Sequence, residues 1–322
     1  MYPSPPQRTR ARPTMVAELA VVTLLLGSGS AFGQEAPWYP SAWGADDQRG
    51  AANRITPAKV LEVKDLITEG VIYELGRVYE TGIPLFGTRH YSLRIPQAFG
   101  PSGSNDFLYL DEVVSGELGQ IGTQFDGLGH VGIGEVFYNG NRAEDFVRAE
   151  GLARLGVENV GAIVTRGVLV DVAAYKGVEQ LEGSYEITAA DLEGALERQD
   201  VSIRSGDVVL LHTGWGSLWM QDNERYLQTS PGIGLEAAEF LAGREIVMVG
   251  ADNWGIEVSP NPDATLSAPV HQLLVTRNGI YQFENLATEA LARDRVYEFA
   301  FFFAPVPLRG ATGSPGNPIA IR

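Results

Sequence analysis

No cysteine occurs in this chain of 322 residues. Disulfides, thiolate metal sites and a cysteine nucleophile are therefore excluded. Histidine is nearly as scarce: His90, His130, His212 and His271 are the whole supply. Positive charge is also in deficit, with 24 Lys and Arg against 40 Asp and Glu, a formal charge of −16. That balance argues against nucleic acid or an anionic membrane surface as partner and favours neutral or cationic ligands, or simply good solubility. Past the N-terminus no apolar run is long enough to span a bilayer. At 44% hydrophobic and 20% charged residues, the composition is that of an ordinary globular protein.

The N-terminus reads as an export signal over residues 1–33. Arg8, Arg10 and Arg12 supply a positive start, Ala20 to Leu26 an apolar core, and Ala31 and Gly33 small residues for cleavage before Gln34. Glu18 beside the apolar run is out of pattern, and Met15 is an alternative start. Removal of this segment leaves a mature chain near −18, in the periplasm or secreted. Residues 34–55 then read as an N-terminal arm, rich in Pro, Trp, Gly and Asp and without hydrophobic period.

From residue 56 to 322 the pattern is that of one mixed α/β domain. Thr56-Pro57 opens a helix whose buried side holds Val60, Leu61 and Leu66. Val71 to Leu75 reads as a strand, and Glu144 to Leu155 as a short amphipathic helix. Ala162 to Val172 is a nearly unbroken apolar run, as in a strand buried on both faces. Thr188 caps a helix with Asp191 in its first turn. Val208 to Leu211, a helix over Gly234 to Ala242 and a strand over Ile246 to Val249 complete an alternation with parallel pairing. Tyr281 to Leu286 reads as a strand at the sheet edge, and Tyr297 to Phe303 as a core strand.

The densest chemistry lies in Gly119 to Gly132. Residues two and four apart share one side of a strand, so Gln120, Gln124 and Asp126 can face one pocket, with His130 joining them if the strand continues. The glycines suggest a bent path in which backbone approaches something bound; a Gly-rich turn capped by its own Gln and Asp is the plain alternative. Gly127-Leu128-Gly129-His130-Val131-Gly132 has dinucleotide-fingerprint spacing, but no strand leads into it and no helix clearly follows. Gly214-Trp215-Gly216-Ser217 lacks the spacing of a nucleophile elbow. His271 and Glu284 offer an imidazole and a carboxylate to join Asp126 as metal ligands from distant parts of the chain. Singly, each also reads as a core histidine or a capping acid. His212 reads as structural, and the role of His90 stays open. Phe125, Trp215 and Trp219 are candidates either for an aromatic substrate pocket or for core packing.

Gln120-Ile121-Gly122-Thr123-Gln124-Phe125-Asp126-Gly127-Leu128-Gly129-His130 resembles the signature His-x-Gly-Thr-His-x-Asp-x-Pro-x-His of the cyclase family. That family includes bacterial kynurenine formamidases and isatin hydrolases. The resemblance continues through Trp43 to Gly50, Gly206 to Trp215, His271 to Leu274, Glu284 to Leu286 and Pro307 to Ala320. It implies a swivelling β/β/α fold and a metal-dependent hydrolase of amides or cyclic amides, commonly a dimer or tetramer. By position the metal ligands fall on Gln120, Gln124, Asp126, His271 and Glu284, and the proton-transfer group on His130. Here both leading motif histidines are glutamines and the motif proline is Leu128. A neutral, hard carboxamide oxygen shifts preference from Zn²⁺ towards Mn²⁺, Mg²⁺ or Ca²⁺, or weakens metal binding altogether.

The resulting expectation is an exported hydrolase of amide, cyclic amide or lactone bonds, arylformamidase-like, with a metal-activated water. Asp126 serves both as ligand and in catalysis. The alternatives are a non-catalytic exported binding protein that has lost its metal, and a metal-free lyase using Gln124, Asp126 and His130.

Overall fold

The apolar runs do form the centre of a sheet. The computed structural model describes residues 37–96 and 100–322, and the export segment expected over residues 1–33 lies outside them. The strands that matter are β1 (Ile72–Glu74), β2 (Tyr91–Arg94), β3 (Val113–Gly116), β4 (Gln124–Asp126), β5 (Ile163–Asp171), β6 (Val208–His212), β7 (Met248–Ala251), β8 (Tyr281–Glu284), β9 (Glu298–Phe303), β10 (Gly313–Pro315) and β11 (Ile319–Ile321). Nine of them make one sheet in the order β1-β11-β9-β5-β6-β7-β8-β4-β10, while β2 and β3 pair apart as a hairpin. β5, β6, β7 and β8 are mutually parallel, and the flanking strands run antiparallel. Residues 37–322 form one compact unit, a single mixed α/β domain.

The central strands are apolar on both faces because both faces are covered. Val208, Leu210, Met248, Phe125 and Phe283 point into one core, with Phe299 and Phe301. Val209, Leu211 and Val249 point into the other. That second core is closed by helices α2 (Ala189–Gln199), through Leu192, Ala195 and Leu196, and α3 (Leu235–Gly243), through Ala237, Ala238 and Leu241. Each fully buried Val, Leu or Phe side chain contributes roughly 1.5–3 kcal/mol. α2 begins as the sequence suggests, with a capping box between Thr188 and Asp191.

Four expectations need correction. The helix after Thr56, α1, covers only Pro57–Glu62 and tightens into a 3-10 turn at Val63–Leu66, so a 3.6-residue period does not hold across it. Lys59 and Val63 turn inward, while Val60 and Leu61 are 37% and 63% exposed. Lys59 is drawn in by charge: its ammonium meets the Asp207 carboxylate at 2.7 Å, and Arg166 meets the other oxygen at 2.5 Å. Secondly, Glu144 to Leu155 is not one helix. Ala143–Phe146 makes a single turn, and a two-residue hairpin from Val147–Arg148 to Gly151–Leu152 follows, with Gly151 at a φ of 128° that a side chain rarely adopts. Thirdly, Tyr281 to Glu284 is an inner strand between β7 and β4, because β4 returns to pair with it. Fourthly, the strand predicted over Ile246 to Val249 begins two residues later and ends at Ala251.

Residues 37–55 are held in place by hydrogen bonds rather than by a hydrophobic period. Asp47 accepts from Tyr138 and Asn53, Asn139 donates to the Gly44 and Asp47 carbonyls, and Tyr281 donates to the Arg49 carbonyl. Within this segment Ala51 and Ala52 are buried.

Two predictions follow from the ion pairs. Asp207 is fully buried between two cations, so Asp207→Asn leaves Lys59 and Arg166 short of a partner; it should cost about 3 kcal/mol or more in denaturant unfolding. At Asp191, burial alone would raise the carboxyl. The Lys176 ammonium at 2.7 Å, the Thr188 amide and the Tyr185 hydroxyl outweigh that and hold it below its ordinary value. Its stabilisation is then complete above the unfolded-state value near about pH 3.9 and is lost as pH falls through the lower folded value. The stability difference between wild type and Asp191→Asn should therefore shrink on acidification below about pH 4.

Candidate metal centre

The pleat of β4 and β8 builds the site. The two strands are antiparallel, with Asp126 opposite Gln282, Phe125 opposite Phe283 and Gln124 opposite Glu284. Alternation sends Phe125, Tyr281 and Phe283 to one face and Gln124, Asp126, Gln282 and Glu284 to the other. On the first face Phe125 packs against Tyr281 and Phe303 with ring centres 4.9 and 5.2 Å away. On the second, a short helix (Pro269–His271) brings His271 over the polar row. Pro269 sets its first position, and the chain continues as a π-helical turn through Gln272–Arg277, a form often found at functional sites.

Asp126, His271 and Glu284 each present one ligand atom, all within 4.8 Å of one another, and all three residues are buried. His271 Nε2 lies 3.9 Å from Asp126 Oδ2 and 3.4 Å from Glu284 Oε1. Asp126 Oδ2 is buried with no hydrogen-bond partner. Two acids this close and this dry repel each other, so burial and the Asp126 charge raise Glu284 to about 7. Burial would depress His271, but the carboxylates of Glu257 and Glu284 outweigh it and raise the imidazole to about 10. The cluster therefore calls for positive charge among its oxygens. An imidazole, two carboxylates and an oxygen without a partner fit a divalent cation.

Glu257 fixes the imidazole. Its Oε1 accepts from His271 Nδ1 and from the His271 amide, and its Oε2 from the Val270 amide. With Nδ1 engaged there, Nε2 is the nitrogen turned to Asp126 and Glu284. Nothing in Gly255-Ile256-Glu257-Val258 marks that role in the sequence. His130 reaches the cluster through a turn, its amide bonded to the Gly127 carbonyl, since the strand ends at Asp126. Its Nε2 lies 4.0 Å from Asp126 Oδ1 with the side chain 23% exposed. Burial holds this imidazole below its ordinary value, which leaves it neutral near pH 7.

The glutamines brace the acids. Gln124 Nε2 donates to Glu284 Oε2 at 2.6 Å, and Gln120 Nε2 lies 3.4 Å from Asp126 Oδ1. The three aromatic candidates for a substrate pocket are packing residues. Phe125 is wholly buried because it occupies the odd position of β4. Trp215 is buried with its indole donating to the Tyr226 carbonyl. Trp219 lies edge-on to Tyr226, with Arg77 over its ring. His212 is structural, bonded to Thr288, and His90 is exposed beside Ser115 and Glu117. The atoms that crowd these glycines are the protein's own, from side chains as well as backbone. Gly122 has φ +61°, and a Cβ there would meet the Tyr79 ring at 2.7 Å.

The aromatic wall beside the cluster is instead Phe86 stacked on Trp254, ring centres 5.0 Å apart. It borders a cavity of about 430 Å³ that reaches His271 and Glu257. On its other side a recess holds Arg89, Gln120, Gln124 and Glu284.

Fold and site thus define an α/β protein whose buried Asp/His/Glu cluster is consistent with a divalent-metal site. The family model described as "Putative cyclase" matches residues 51–258, and the chain belongs to that family. A solved structure of a novel cyclase is 33% identical, with a TM-score of 0.78 over 87% of this chain and 96% of its own. Isatin hydrolase A from Labrenzia aggregata, solved with benzyl benzoate, is 21% identical with a TM-score of 0.58 over 78% of this chain and 93% of its own. Isatin hydrolase A from Ralstonia solanacearum gives 21% and 0.59 over 78% and 92%. These last two share the fold. No curated protein matched the sequence.

Removing the charge that orients His271 should be felt at the ion. Glu257→Gln is expected to weaken Mn²⁺ binding about 10- to 100-fold in titration calorimetry, with the fold retained.

Proposed function

We propose that the protein is an exported, metal-dependent hydrolase of amide, cyclic amide or lactone bonds, arylformamidase-like. The observation that carries this reading is the buried convergence of Asp126, His271 and Glu284. Family membership and the shared fold with isatin hydrolases support it. A divalent ion held by these three residues would supply Lewis acidity, polarising a carbonyl and easing ionisation of water. One imidazole and two carboxylates form a harder donor set than a three-histidine site, which favours Mn²⁺ or Mg²⁺ over Zn²⁺.

The chain's own groups do the rest. Asp126 and Glu284 fix where positive charge sits, and Gln120 and Gln124 hold those acids by their amide N–H groups. Glu257 keeps His271 in one orientation. His130, neutral and 4.0 Å from Asp126, is placed to take a proton from water and pass it to the leaving nitrogen or oxygen. Phe86 and Trp254 wall a cavity large enough for a small aromatic substrate.

Export rests on the residue pattern of the first 33 positions, and places the enzyme in the periplasm or outside the cell. A homo-oligomer, dimer or tetramer, is supported by the hairpin of β2 and β3. Its Leu93, Val113 and Val114 and the nearby Phe107, Leu108 and Leu110 are exposed apolar side chains that a second copy would cover.

Elemental analysis together with hydrolysis of N-formyl arylamines, cyclic amides and lactones tests the reading. Wild type should carry stoichiometric metal and turn over at least one class, and Asp126→Ala should lose both. Retained turnover in Asp126→Ala removes Asp126 from the mechanism. A metal-free wild type that binds these compounds unchanged makes the protein a binding protein instead.

A further inference from the structure

Among the described residues, Arg89 is the cation facing this recess, and the proposed reaction leaves it unused. It sits in the loop between Ile83 and β2, half-buried, with Nη1 donating to the Gln120 carbonyl at 2.7 Å. Its guanidinium carbon lies 5.9 Å from the centre of the Phe86 ring. It shares its recess with Gln120, Gln124 and Glu284, so it stands beside the metal ligands. Its field is felt there, favouring the charged form of Glu284 and the neutral form of His130.

What singles it out is the want of an acid. The chain has 40 carboxylate side chains for 24 Lys and Arg. Several other arginines withdrawn from solvent find them: Arg77 pairs with Glu289, Arg166 with Asp207 and Glu298, and Arg54 with Glu245. Arg89 makes no ion pair with any described residue. A guanidinium offers five N–H donors in a rigid fork and keeps its charge at any working pH. One of the five is spent on the Gln120 carbonyl, which tethers the group. A tethered, partly desolvated, unpaired cation beside a reaction centre is prepared for an anion that arrives with the chemistry.

We propose that Arg89 is the anion-binding residue of this site and receives the carboxylate that hydrolysis creates. The inference rests on the hydrolase reading and deepens it. In that reaction the oxygen of water bonds to the carbonyl carbon and the bond from carbon to nitrogen, or to ester oxygen, breaks. The departing atom keeps the electron pair and takes a proton by way of His130, and the new acid ionises to a carboxylate. Negative charge thus gathers on oxygen atoms that begin neutral. Phe86, stacked between Arg89 and Trp254, would hold an apolar or aromatic body while the guanidinium takes its carboxylate. For a cyclic amide or lactone, whose new carboxylate stays joined to the ring, the ligand class is an aromatic carboxylate, and its neutral amide counterpart should bind poorly.

Benzoate and benzamide are suitable probes, titrated calorimetrically into full-length protein loaded with Mn²⁺. Wild type should prefer benzoate. Arg89→Gln should lose that preference, with benzoate affinity down about tenfold or more, benzamide affinity unchanged and Mn²⁺ stoichiometry intact. Arg89→Lys, which keeps the charge but not the fork, should recover part of it and guards against misreading a folding defect. Inhibition by carboxylate product should be relieved in Arg89→Gln in the same proportion. Equal benzoate affinity in wild type and Arg89→Gln, or no benzoate binding to either, overturns the assignment. Failure of the hydrolase reading is read separately, as absent Mn²⁺ or absent turnover in the wild type.

Discussion

Two carboxylates, Asp126 and Glu284, are held within a few ångströms of each other, out of water, on neighbouring antiparallel strands. Left alone, such a pair is unfavourable by several kcal/mol and would in part take up protons. Much of the surrounding structure answers that single cost. His271 is set over the pair by a proline-started turn, Glu257 orients His271 from behind, and Gln120 and Gln124 lend N–H groups to the two acids. Asp126 Oδ2 has no hydrogen-bond partner, and a divalent cation bound there would supply the opposing charge.

The rigidity this requires comes from the opposite face of the same strands. Every residue of β4 and β8 is buried. The odd-numbered residues Phe125, Tyr281 and Phe283 form with Phe303 an aromatic floor, so the even-numbered polar residues cannot shift without disturbing close-packed rings. The parallel centre of the sheet, buried on both sides, anchors β8 and through it β4. Site and core are thus two sides of one ribbon, and register errors of one residue would exchange them.

This arrangement explains what was legible in the sequence. Apolar runs such as Ala162 to Val172 and Val208 to Leu211 announce buried strands, Tyr297 to Phe303 a core strand, and Thr188 with Asp191 a capped helix; these readings hold because local pattern and burial agree. Asp126, His271 and Glu284 could be named together because ligand chemistry admits few residue types and the family pattern supplies their order. The rest depends on distance along the chain. Glu257 looks like any acid in a loop until His271, fourteen positions on, is folded against it. Phe125 sits next to Asp126 in sequence and on the opposite face in space. Lys59 is pulled inward by Asp207, 148 residues away, against the helix pattern around it. Charge pairing and strand register are tertiary facts, and neither has a local period to betray it.

The whole account turns on one cation between one imidazole and two carboxylates. Anomalous diffraction from a crystal of the protein grown with Mn²⁺, collected at the manganese edge, addresses that directly. A single strong peak bonded to Asp126, His271 Nε2 and Glu284 is the predicted result. An empty cluster at saturating Mn²⁺, or an ion bound elsewhere with Asp126 Oδ2 still without a partner, would contradict it.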